Sequence, residues 1–364
     1  DWQANDRFRQ RDLAGTLQRI AREGREGFYA GRTAGLIVRQ QARSGGLISY
    51  DDLESYKSVY RPPIIGDFRE YTVVSMPPPS SGGVLLVQML NMLDTFPIDT
   101  MPHGSAEYIH LLTEIQRRAY AARATHLGDS DFWDVPVAEL ISPDYARERA
   151  STISMQRATP SAEVAAGEFT PESPETSHYS IIDADGTAVA VTVTLNASYG
   201  SKIVIDGAGF LMNNEMDDFS SKPGVPNLFG VTGGDANAIE PGKRMLSSMT
   251  PTVILKDGKP AMILGSPGGS MIITTVLQVF LNAALHDMNI QDAVNAPRHH
   301  SQWLPDQIVF EPNAIDKEAR EKLESMGHTL TDPRNIGAAN SIAIDDTGIP
   351  GAPDPRRQSA AIGY

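Results

Sequence analysis

Cysteine occurs nowhere in the 364 residues, and that absence excludes disulfides, a thiolate nucleophile and thiolate-bound metals. It leaves the compartment open. Positive charge is scarce as well: 31 Lys and Arg stand against 45 Asp and Glu, a formal net charge of −14. Nucleic acids and anionic lipid surfaces are bound by basic patches that displace counterions, so neither is an expected partner, and small-molecule substrates fit better. No apolar run reaches the roughly 18 residues needed to span a bilayer. The opening Asp1-Trp2-Gln3 carries no apolar leader segment and reads as the interior of a longer protein. What remains is an ordinary globular composition, 41% hydrophobic and 21% charged, in a length that suits one large layered domain or two average ones.

The first half reads as mostly helical. Leu13, Leu17 and Ile20 recur at helical spacing before Gly24 and Gly27, and a second amphipathic stretch runs from Ala34 to Arg43 ahead of Ser44-Gly45-Gly46. The charge-rich text from Asp1 to Arg61 reads as a solvated face. Tyr71 to Ser75 reads as a strand, ending at Met76-Pro-Pro-Pro-Ser-Ser-Gly-Gly83, where three prolines exclude regular structure and two glycines launch an apolar helix from Val84 to Leu93. A further helix is expected from Ser105 to His126.

From Thr159 to Glu175 the text is Pro, Ser, Glu, Thr and Ala, which is linker composition. It changes at Thr176. His178 to Asp183 and Ala188 to Leu195 are rich in β-branched residues and are joined by Asp183-Ala-Asp-Gly186, a hairpin signal. Strand text recurs from Met249 to Lys256, Pro260 to Leu264, Gln307 to Phe310 and Ser341 to Asp345, and a long apolar helix from Ser270 to Leu285 follows Gly268-Gly269. The expected fold class is therefore a layered α/β or α+β protein, a sheet flanked by helices without internal repeats.

A linker that ends directly before a strand-leading threonine has a chemical use. If the bond after Glu175 is cut, Thr176 gains a free α-amine beside its own hydroxyl, and one residue then supplies both nucleophile and base. Composition by itself is met as well by an ordinary β-branched strand residue. The runs Thr176-Ser-His-Tyr-Ser180, Thr192-Val-Thr-Leu-Asn196, Asn213-Asn-Glu-Met-Asp-Asp-Phe219, Leu246-Ser-Ser-Met-Thr-Pro251 and Gly265-Ser-Pro-Gly-Gly-Ser270 decide between the two. In that order they resemble the small subunit of the γ-glutamyltransferases. Met76 to Gly83 and Leu127-Gly-Asp129 resemble the later part of that family's large subunit, so the resemblance covers essentially the whole chain.

The resemblance implies an αββα sandwich of the N-terminal-nucleophile hydrolase type, with residues 1–175 as the C-terminal part of the large subunit and 176–364 as the small catalytic subunit. Both come from one precursor by self-cleavage between Glu175 and Thr176. It implies Thr176 as nucleophile, Thr194 as the residue that orients its hydroxyl, and the backbone N–H groups of Gly268 and Gly269 as an oxyanion hole. Asn196, Glu215 and Asp218 would take the donor's α-ammonium, and Ser247 and Ser248 its α-carboxylate. Phe229, in the Gly/Pro-rich run Lys222 to Gly230, falls where one branch of the family has an aromatic lid. The implied substrates are a γ-glutamyl donor such as glutathione and a water, amino-acid or peptide acceptor. No cofactor or metal is implied, and the family's enzymes are periplasmic or secreted. Acylases of glutaryl β-lactams and non-catalytic homologues are the competing classes.

Two departures stand out. The carboxylate-binding Arg of the family lies upstream of Asp1, and Arg69, in a similar Asp67-Phe-Arg-Glu70 context, sits too close to the Pro-rich breaker to replace it; Ser177 stands where some relatives have a second Thr. The adjacent His299 and His300 are expected to have a structural or surface role, and neither a spaced His/carboxylate cluster nor a bound metal is expected.

Overall fold

The computed structural model describes residues 3, 6–164, 176–220, 222, 233–346 and 348–363. They form two compact units, Asp1–Arg61 with Leu195–Asn214, and Pro62–Thr194 with Glu215–Tyr364.

In the first unit, α1 (Arg11–Glu23), α2 (Glu26–Tyr29), α3 (Gly31–Ser44) and α4 (Tyr50–Ser55) pack with the later loop. The stretch expected to be a solvated face has a core of its own, built from Ala34, Ile37, Leu53, Ile205 and Ala208. Gly24 caps α1 as expected, whereas Gly27 lies inside α2 because the chain crosses itself there: an added Cβ would stand 2.4 Å from the Arg19 carbonyl oxygen. Ser49 and Asp52 form a capping box that starts α4.

The second unit begins with β1 (Ile64–Phe68), β2 (Tyr71–Ser75), α5 (Gly82–Leu93), α6 (Ala106–His126), α7 (Val137–Leu140) and α8 (Pro143–Ser151). After the linker come β3 (Ser177–Ile182), β4 (Ala188–Val193), β5 (Thr252–Lys256) and β6 (Lys259–Leu264). The chain closes with α9 (Met271–Leu285), α10 (Ile290–Asn295), β7 (His299–His300), β8 (Val309–Phe310), α11 (Lys317–Ser325), β9 (Ser341–Ala343) and β10 (Gly351–Ala352). A six-stranded antiparallel sheet runs in the order β1-β2-β5-β6-β9-β10, and β3 pairs with β4 as a separate hairpin. This is an α+β layering.

The apolar helices α5 and α9 and the central part of α6 form the main core with one face of the large sheet, through Val73, Ile254, Met262 and Leu264. Ile263 points the other way by strand alternation and is equally buried, on the face that β3 and β4 cover. The outer side of the hairpin has an unusual composition. Tyr179, Ile181, Val189 and Val193 are 48%, 50%, 41% and 54% exposed, so a β-branched and aromatic face looks outward.

The Pro-rich breaker makes a clasp. Ser81 N–H and Oγ both donate to the Ser247 carbonyl at 2.8 Å, Ser247 N–H donates to the Pro79 carbonyl at 2.8 Å, and Ser80 Oγ donates to the Met249 carbonyl at 2.7 Å. The two glycines follow because α5 starts against the backbone of this clasp: a Cβ on Gly82 would lie 2.5 Å from the Met249 carbonyl oxygen, and one on Gly83 2.4 Å from that of Met76. The Leu-Gly-Asp motif does similar work on another loop. A Cβ on Gly128 would sit 2.1 Å from the Ala236 carbonyl oxygen, and Asp129 Oδ2 accepts from Arg244 N–H at 2.8 Å.

Candidate active site

Thr176 stands just ahead of β3. The β3–β4 ladder ends at the pair Ser177–Val193, so the Thr176 backbone lies beyond it, and across the open end the Thr176 hydroxyl donates to Thr194 Oγ1 at 3.2 Å. Glu175 lies outside the described residues. The hairpin is pinned in place from behind. His178, 4% exposed, shares hydrogen bonds through Nδ1 with Thr192 Oγ1 (2.8 Å) and through Nε2 with Ser180 Oγ (3.1 Å), and burial lowers its pKa to about 4, so the ring is neutral. Its ring packs where a Cβ on Gly265 would be, 2.1 Å away, which is why the run Gly265 to Ser270 opens on glycine.

That run turns from β6 into α9. Gly268 has φ +135° and Gly269 φ +57°, values L-residues rarely adopt, and a Cβ on Gly268 would approach the Gly337 Cα to 3.3 Å. Their carbonyls accept from Met271 and Ile272 N–H at 3.0 and 3.2 Å, starting the helix. Backbone amides that lead a 15-residue apolar helix stand at the positive end of its dipole, where an oxyanion is stabilised.

Ser247 and Ser248 sit in the clasp. Ser247 Oγ accepts from Met249 N–H at 3.0 Å and Ser248 Oγ accepts from Arg123 Nη2 at 3.2 Å. Arg123 is a residue that the sequence reading missed. It is 5% exposed on α6, and its Nε also donates to Ser81 Oγ at 2.9 Å, which places a buried cation directly behind the serine pair. The signal was a long cation in an otherwise apolar stretch of helix. Arg69, by contrast, pairs with Asp94 at 2.5 Å and Asp99 at 2.9 Å at the β1–β2 turn.

Glu215 and Asp218 share one 3-10 turn, held at its end by Asn237 Nδ2 donating to the Asp218 carbonyl at 2.7 Å. Desolvation, and then the neighbouring Asp218 carboxylate, push the Glu215 pKa up to about 8. Asn196 belongs to the first unit, where it has φ +73° and donates to the Asn214 carbonyl at 3.3 Å. Phe229 lies outside the described residues.

The Glu215 shift makes a stability prediction with a definite sign. The unfolded carboxyl ionises near 4.5 and the folded one near 8, so stability falls as pH rises through that window. Glu215→Gln is expected to stabilise the protein at pH 8 by about 2–4 kcal/mol and to leave stability unchanged at pH 4. Thermal melts at both values check this; an equal gain at pH 4 would contradict it.

One expectation is corrected. His110, Glu114 and His328 do converge, with ligand atoms within 4.8 Å, since i and i+4 on α6 share a face and α11 leads into His328 beside them. The set does not suit a cation. Arg118 donates to Glu114 Oε2 at 2.8 Å, Arg117 Nε lies 3.4 Å from Oε1 and Thr159 N–H donates to Oε1 at 3.0 Å, while His110 Nδ1 and His328 Nε2 share a hydrogen bond of 2.7 Å. Two guanidiniums already neutralise the carboxylate, and burial holds His328 neutral at a pKa of about 4. His299 and His300 are buried, at 4% and 1% exposure, so of the two roles expected for them the surface one does not hold.

A helical layer, a large antiparallel sheet and a second sheet led by a threonine at its open end together make the architecture of an N-terminal-nucleophile hydrolase. All 364 residues match the family described as Gamma-glutamyltranspeptidase. The chain is 47% identical over 353 residues to the glutathione hydrolase proenzyme of Escherichia coli K12, covering 96% of this chain and 61% of that protein. It is 44% identical over 377 residues to the glutathione hydrolase proenzyme of Pseudomonas sp. A14, covering 100% of this chain and 65% of that protein. Among solved structures, the cephalosporin acylase from Bacillus halodurans superposes with a TM-score of 0.82 at 26% identity, over 98% of this chain and 63% of that one. The chain belongs to the γ-glutamyltranspeptidase family, and it spans somewhat under two thirds of the length of these curated relatives.

Proposed function

We propose that this chain carries the catalytic centre of a γ-glutamyl amide hydrolase and transferase acting on glutathione and related compounds. The observation that carries the reading is the hydroxyl pair at the open end of the hairpin, Thr176 Oγ1 to Thr194 Oγ1 at 3.2 Å. Cleavage between Glu175 and Thr176 frees the α-amine. The amine takes the hydroxyl proton as Oγ1 bonds to the donor's γ-carbonyl carbon, and it returns that proton to the leaving amine when the amide C–N bond breaks. The amides of Gly268 and Gly269 meet the oxyanion, and water or an acceptor amine then resolves the ester.

Donor selection follows from charge. Glu215 and Asp218 receive the α-ammonium; Ser247 and Ser248, backed by Arg123, receive the α-carboxylate. A glutaryl donor has no ammonium, so this carboxylate pair favours the γ-glutamyl reading over the acylase one. Residues 1–175 and 176–364 are then large- and small-subunit portions of one precursor. An exposed apolar sheet face marks an interface, and we assign the cover of Tyr179, Ile181, Val189 and Val193 to the fourth, helical layer of the αββα sandwich. Among the described residues no helix is long and apolar enough to cross a membrane, and the reading places the enzyme in the periplasm or outside the cell.

Acid-quenching the processed enzyme during turnover of a γ-glutamyl anilide tests this. Mass spectrometry should find a γ-glutamyl adduct on the peptide that starts at Thr176, and an adduct on any other residue would overturn the reading.

A further inference from the structure

We infer that Arg357 is a positioning residue for Thr176: its Nη1 donates to the Thr176 carbonyl oxygen at 3.1 Å and so fixes the peptide plane that holds the Cα from which the free amine and the hydroxyl-bearing Cβ project. This rests on the reading of Thr176 as nucleophile and adds a residue outside every motif that suggested it. The need for such a contact follows from topology. The hairpin ladder stops at Ser177–Val193, so no strand pairing orders the backbone of Thr176, and after cleavage its carbonyl side is its one covalent tether. The Thr194 hydrogen bond fixes the side-chain end of the residue, and the Arg357 hydrogen bond fixes the carbonyl end. The Thr194 contact holds χ1, which places Oγ1 relative to the amine, and the Arg357 contact holds the carbonyl plane, which sets ψ and so the way the whole residue is presented on its tether.

The guanidinium itself is exposed, but the chain that carries it is anchored by its neighbours. Arg356 makes a bidentate pair with Glu311, Nε to Oε1 at 2.6 Å and Nη2 to Oε2 at 2.5 Å. Asp354, fully buried, receives Arg298 Nη2 at 2.8 Å, Ala339 N–H at 2.6 Å and Arg356 N–H at 2.9 Å. Arg298 is in turn fixed by the carbonyls of Ile336 (2.8 Å) and Val294 (2.7 Å). Each charge in this desolvated network has an opposite charge beside it, although Arg298 Nε makes no hydrogen bond, and the backbone one residue beyond Arg356 is thereby delivered to a fixed place. The C-terminal segment is thereby coupled to the nucleophile.

The experiment uses full-length processed enzyme with Arg357→Ala, Arg357→Gln and Arg357→Lys. For γ-glutamyl anilide hydrolysis, Arg357→Ala is expected to lower kcat about tenfold with KM within about twofold and Tm within about 1 °C of wild type, because an exposed side chain is removed while donor contacts remain. Arg357→Gln, which keeps an N–H donor without the charge, and Arg357→Lys, which keeps both in another shape, should each recover more than half of that loss. An unchanged kcat in Arg357→Ala, a loss carried by KM, or a fall in Tm that tracks the loss of activity would overturn the inference. Thr176→Ala, assayed alongside, separates the two claims: turnover surviving in Thr176→Ala sinks the nucleophile reading, whereas an inactive Thr176→Ala beside a fully active Arg357→Ala sinks only the role of Arg357.

Discussion

Thr176→Ala is expected to abolish turnover of γ-glutamyl anilides, with kcat falling by roughly 10⁴-fold or more, and to leave the full-length precursor as a single chain. On the proposed reading, removing the hydroxyl takes away the group that would form the ester and that would attack the Glu175 carbonyl during maturation. The fold should be spared. Thr176 lies beyond the last ladder pair and is only partly buried, so its truncation removes one 3.2 Å hydrogen bond at the surface of the hairpin. Loss of activity with an unchanged melting temperature is the combined outcome that supports a chemical role.

The second large effect concerns donor recognition. Asp218→Ala should lower kcat/KM for γ-glutamyl anilides at least a hundredfold, on the order of 3 kcal/mol, because it leaves a desolvated ammonium without its charge partner. For glutaryl anilides, which lack that ammonium, the loss should stay within a few-fold. Glu215 is already held at a pKa of about 8, so it is mostly neutral near pH 7 and Asp218 is the member of the pair chosen for the test. Equal losses on the two donors would move Asp218 from substrate binding to a role in folding or in the nucleophile's surroundings.

Most of the architecture that supports this site was legible in the sequence, and the reasons are local. The hairpin from Ser177 to Val193, the apolar helices α5 and α9 and the glycine run before α9 follow from β-branched runs, uninterrupted apolar text and paired glycines. What escaped depends on partners far away in sequence. β1 was not expected, because Pro62-Pro63, Gly66 and Asp67 interrupt any strand pattern; yet Gly66 is required because Val87 of α5 rests on it, 2.4 Å from where a Cβ would be. The strands expected to end at Leu195 and Asp345 stop at Val193 and Ala343, and the strand expected from Met249 begins at Thr252, since the Ser80–Ser81 clasp claims the preceding backbone. Short capped helices such as Pro143–Ser151 and Lys317–Ser325 carry too little periodicity to show.

The same limit governed the site. Thr176 and Thr194 are 18 residues apart in one hairpin and could be paired from the turn between them. Arg123 is linked to Ser248 across 125 residues, and His110 to His328 across 218, and no spacing rule reaches that far. Arg357 lies 181 residues from the carbonyl it holds. Residue type told which side chains could do chemistry, while the fold alone told which of them stand behind the ones that do.

The most direct test of the account is to read the N-terminal residue of every polypeptide in the purified full-length protein. The account requires a chain that begins Thr176-Ser-His-Tyr, present in proportion to activity and missing from Thr176→Ala. An active preparation in which no chain begins at Thr176 would contradict it.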